Sequence, residues 1–100
     1  MPQTCGGKRM INFFKAICDL NRHKILYLLK NNGEMNATEI INKIKLSQPT
    51  ISHHLKILVE AEVLNARKEG KETYYRINEK VVNHCCHNFA QEVCSNKSQK

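Results

Sequence analysis

The chain has 100 residues, enough to close one small core and too few for a second, so a single domain over 1–100 is expected. Apolar residues make up 41% and charged residues 25%, which excludes a disordered, collagen-like or membrane-spanning class. Sixteen Lys and Arg against nine Asp and Glu leave a formal charge of +7. That excess favours an anionic partner, nucleic acid being the commonest, although it also suits a merely soluble surface.

No apolar run approaches the roughly 20 residues of a membrane helix, and the first seven residues lack the apolar segment of a secretory signal. A cytoplasmic location without membrane contact is therefore expected. The five cysteines, Cys5, Cys18, Cys85, Cys86 and Cys94, are an odd number for a reducing compartment. They read as free thiols, ligands or redox groups rather than a disulfide framework.

In chain order, Met10, Phe13, Phe14 and Ile17 fall at i, i+3, i+4 and i+7 and predict a helix over 8–18. Asp19 then caps a second helix that turns Ile25, Leu26, Leu28 and Leu29 inward and ends at Gly33. Asn36 and Glu39 have capping-box spacing before a short helix carrying Ile40, Ile41 and Ile44. Ser47 caps a fourth helix over 48–60, with Pro49 tolerated in its first turn and Ile51, Leu55, Leu58 and Val59 as its core stripe. The β-branched and aromatic residues of 63–67 and 73–77 flank a Gly70 turn and predict one hairpin. A last helix over 79–94 places Val82, Cys86, Phe89 and Val93 on one stripe, and 95–100 reads as a loose polar tail. The expected fold class is mainly α with a small β-hairpin: four helices, a wing and a C-terminal helix.

A short helix, a tight turn and a longer helix over 36–60 suit a B-DNA major groove, which is about 12 Å wide and admits one helix. With Leu55 taken as the centre of the buried face, Pro49, Thr50 and His53 project opposite it and Ser52, His54 and Lys56 flank them. His53 and His54 are accordingly expected at the surface or on DNA. Ile57 points outward on this wheel, and the hairpin is expected to cover it. Arg67, Lys68 and Lys71 stand on the wing, where phosphates would neutralise them. A helix-turn-helix can also be a pure packing or protein-interaction unit, so that alternative stays open. No nucleophile–base pair, phosphate loop or carboxylate dyad has a usable spacing, and an enzyme is not expected.

The segments Ser47–Leu58, Glu60–Leu64 and Arg67–Ile77, with Phe14–Arg22 upstream, resemble the ArsR/SmtB family of winged-helix repressors over roughly residues 10–78. The resemblance implies a homodimer, paired through the helices at 8–18 and 79–94, that binds a palindromic double-stranded DNA operator and represses. In many members a metal, metalloid or thiol oxidant releases the DNA. By that resemblance the DNA contacts map onto Gln48, Thr50, Ser52, His53 and Lys56 of the reading helix and Arg67 and Lys71 of the wing (63–77). Asn36 and Thr38 stand where arsenic- or lead-binding members carry paired cysteines. Glu79, Val81, Glu92 and Ser95 stand at the zinc-ligand positions, so neither site transfers intact. Leu20 stands where the family often has Pro.

Soft ligands concentrate in His84, Cys85, Cys86, His87 and Cys94, and three thiolates would suit arsenite or another thiophilic metal ion as inducer, with a partner chain completing the shell. The wheel divides them: Cys86 lies on the apolar stripe with Cys85 at its edge, His87 and Cys94 share the polar side, and Cys85 and Cys94 are nearly opposite. Burial of Cys85 and Cys86 as small hydrophobes is the plain alternative, and a redox pair involving Cys18 a third. Cys5 reads as incidental.

Overall fold

The computed structural model describes residues 7–94, apart from the side chain of Cys94; Cys5 and the expected tail at 95–100 lie outside the described residues. The elements run α1 (Gly7–Ile17), α2 (Leu20–Asn32), β1 (Met35–Asn36), α3 (Ala37–Lys43), α4 (Gln48–Glu60), β2 (Leu64–Glu69), β3 (Glu72–Ile77) and α5 (Glu79–Cys94).

Each helix start is chemically marked. The Asp19 carboxylate accepts from the amides of Asn21 and Arg22. Asn36 and Glu39 form the reciprocal capping box, each side chain accepting from the other's amide at 2.8–2.9 Å. The Ser47 hydroxyl accepts from the Thr50 amide ahead of Pro49. Gly33 ends α2 at φ 79°, ψ −155°, a combination essentially confined to glycine.

The three strands form one antiparallel sheet in the order β1-β3-β2. Strand β1 is the addition to the expected hairpin: Met35 pairs with Tyr75 and Asn36 with Tyr74. The sheet thereby ties the α2–α3 turn to the wing. Phe13, Ile25, Ile40, Ile51, Leu55, Leu58, Val63 and Leu64 meet in a core drawn from α1, α2, α3, α4 and the base of the sheet.

Three expectations change. On α5 the inward residues are Val81 and Cys85, one position before the expected stripe; Val82 is half-buried, whereas Cys86, Phe89 and Val93 are exposed. The large apolar side chains thus lie on a face that this chain alone does not cover, apart from Phe89, whose ring meets Phe14 of α1 at 5.0 Å. On α4 the buried set is Ile51, His54, Leu55 and Leu58, so the centre of the inward face lies nearer Ile51 than Leu55 and carries His54 inside. That same rotation turns Ile57 toward α1, where it shares a cleft with Asn12, Lys15, Ala16 and Arg22, away from the hairpin.

Candidate nucleic-acid interface

The outward face of α4 carries exposed Gln48, Ser52, His53 and Lys56. Thr50 is half-buried, and its hydroxyl lies 2.9 Å from that of Ser47, so it is engaged in closing the first turn. Ser52 and Lys56, with Leu55, Val59 and Glu60, form one wall of a cleft of roughly 380 Å³ whose other wall is Ala66 and Tyr75 of the sheet. Burial against this wall pushes the Tyr75 phenol above its ordinary pKa.

Strand pairing decides which wing residues look at that cleft. Directly opposed residues project to the same side, and the side alternates along each strand. Ala66 pairs with Tyr75 and Lys68 with Thr73, so Lys68 and Thr73 continue the face that opposes α4. Arg67 pairs with Tyr74 on the other face, its guanidinium 4.9 Å from the ring centroid.

Arg67 is also occupied there. It donates to both Glu34 carboxylate oxygens at 2.8 and 3.2 Å and to Glu69 at 2.6 Å. The hydrogen bond from Arg67 holds the Glu34 carboxyl below its ordinary range, and the two acids push the guanidinium higher still. The structure therefore uses Arg67 as a brace between the wing and the α2–β1 turn. Lys71 stands exposed beside Gly70 at the wing tip. Of the residues expected at the interface, Ser52 and Lys56 share the cleft, Gln48 and His53 lie on the same helix face, Lys71 sits at the tip, and Arg67 points away. Lys68 was legible as a tip cation; strand alternation from the Gly70 turn is the signal that assigns it to the α4 side.

His54 corrects the expectation of a surface or DNA-facing histidine. It is 8% exposed, with its Nδ1 3.3 Å from Nη1 of Arg22. The cysteine cluster is divided as well. Cys85 is fully buried and disulfide-bonded, which removes it from the thiolates expected to bind a metal. Cys18 and Cys86 are exposed free thiols, and His84 and His87 are exposed. Among the described residues no three His, Cys, Asp or Glu side chains come together as a metal site.

Residues 19–66 match the model of the "bacterial regulatory protein, arsR family". The chain is 48% identical over 73 residues to the transcriptional repressor SdpR of Bacillus subtilis, covering 73% of this chain and 80% of that protein. It is 35% identical over 82 residues to an arsenical resistance operon repressor of Staphylococcus aureus, covering 82% and 78%. The crystal structure of the transcriptional repressor PagR of Bacillus anthracis superposes with a TM-score of 0.68 at 32% identity, covering 81% of this chain and 93% of that one. With its reading helix, wing and three-stranded sheet in place, this chain belongs to the arsR family of bacterial regulatory proteins, a family of helix-turn-helix transcriptional regulators.

Proposed function

We propose that the protein is a homodimeric, non-enzymatic cytoplasmic repressor, built as one domain, that grips an operator between α4 and the wing. The observation that carries this reading is the cleft shared by Ser52 and Lys56 of α4 with the Ala66–Tyr75 face of the sheet, continued by Lys68 and open to solvent. A phosphate backbone fits such a lysine-flanked groove while Gln48, Ser52 and His53 address base edges. Lys71 extends the contact from the tip. The dimer is supported by the apolar surface that α1 and α5 leave exposed, with Ile11, Phe89 and Val93 44–62% exposed.

Fluorescence anisotropy of a duplex from the chain's own promoter region tests the reading. Tight binding that weakens steeply with salt is expected; absent or salt-insensitive binding overturns it.

A thiophilic inducer, arsenite or a soft metal ion, is supported by the soft residues of α5 and by the arsenical repressor among the relatives. Cys86 is the accessible thiol for it, and further thiolates would come from Cys94 or from the second protomer, since Cys85 is buried and bonded. Mass spectrometry of arsenite-treated protein should show an adduct on the wild type that Cys86→Ser removes; an unchanged adduct overturns the assignment.

A further inference from the structure

His54 is the one buried polar side chain among the described residues, and it sits on the reading helix itself. Its partner, Arg22, is 15% exposed at the side chain and ties three elements together. The Arg22 Nε donates to the carbonyl of Ala16 in the last turn of α1 at 2.7 Å. Its backbone amide donates to the Asp19 cap of α2 at 3.1 Å, and Nη2 stands 3.8 Å from the other oxygen of that carboxylate. Its Nη1 reaches His54 of α4 at 3.3 Å.

A guanidinium has donors and no acceptor, so Nδ1 of His54 must accept, and the neutral ring carries its proton on Nε2. A proton on Nδ1 would abolish the bond and turn one donor against another, beside the Asp19 carboxylate that shares the Arg22 guanidinium and with the His53 ring centred 6.0 Å away on α4. We infer that the Arg22–His54 hydrogen bond is a positioning joint that sets the pose of α4 against the α1–α2 corner, and through that pose the discrimination of operator from other DNA. His54 touches no base in this role. The joint rests on the DNA reading above and adds to it a residue pair remote from the reading face.

A helix held at the wrong tilt loses base contacts before it loses phosphate contacts. In the full chain, His54→Leu should lower the ratio of affinities for the promoter duplex and a scrambled duplex at least tenfold, with the scrambled affinity and its salt slope within twofold of wild type. His54→Asn, whose amide oxygen can take the place of Nδ1, should restore the ratio to within threefold, and Arg22→Met should behave like His54→Leu. Ring ¹⁵N spectra should show Nδ1 of His54 as the unprotonated nitrogen. Should His54→Leu fail to fold, the Asn and Met variants and the ring spectrum decide. A parallel loss on both duplexes, an unchanged ratio, no rescue by Asn, or a protonated Nδ1 overturns the joint. Failure of the wild type to bind either duplex overturns the DNA reading first and the joint with it.

Discussion

Arg67 and Lys68 are adjacent cations with opposite assignments, and only the strand register separates them. Arg67 is committed to Glu34, Glu69 and the Tyr74 ring, while Lys68 shares the α4-facing side with Thr73. Lys56→Ala and Lys68→Ala should each weaken promoter binding about uniformly across sequences and reduce the salt slope by about one, as read by anisotropy over a salt series. Arg67→Ala should leave that slope nearly unchanged and instead raise hydrogen exchange of the wing amides. The Arg67 brace also has a pH sign. The Glu34 carboxyl is held low chiefly by the hydrogen bond from Arg67, so the brace is present above the ordinary carboxylate range of about 4 and is lost as pH falls through the lowered value. NMR shifts of Tyr74 should follow that titration in the wild type and cease to do so in Arg67→Met. None of this was visible in the sequence, because a basic residue on a wing has the same composition signal whether it meets phosphate or a carboxylate 33 positions upstream.

At the scale of elements, the caps at Asp19, Asn36 and Ser47, the span of α4 and the Gly33 stop were legible, because they depend on residues close to one another in the chain. What depends on a partner was not. Strand β1 has two residues and so no period to detect; it exists because β3 offers it hydrogen bonds. The α5 stripe was displaced because periodicity finds the bulkiest apolar face, whereas the side of α5 that this chain buries is the narrower one of Val81 and Cys85. His54 was misplaced by the same mechanism, since an error of about half a residue in the centre of a helical wheel moves a flanking position from surface to core. Backbone conformation gives a prediction here. Glu62 holds φ 65° without being glycine, and its exposed ion pair with Arg9 offsets little of that strain. Glu62→Gly should raise unfolding stability by about 0.5–1 kcal/mol in urea melts. Gly33→Ala should lower it by about 1–3 kcal/mol, since an added Cβ meets no atom within 4 Å and the cost is conformational alone.

For the whole molecule, the exposed face of α5 predicts assembly. Phe89→Glu and Val93→Glu together should shift sedimentation from dimer to monomer with a small change in melting temperature, because both sites are already 44% and 62% exposed in the single chain. Promoter affinity should fall by about 10²–10⁴-fold as two linked half-site contacts become independent. A monomeric variant that retains full affinity would remove the dimer from the mechanism.

The two-residue strand β1 has a consequence for the heat of recognition. Because Met35 and Asn36 fasten the wing to the helix-turn-helix in the unliganded chain, the hairpin does not have to be immobilised when duplex arrives. Its conformational entropy is surrendered during folding, so titration calorimetry should show no large ordering penalty, and grafting a freely hinged wing onto this scaffold should cost affinity while leaving every cation in place.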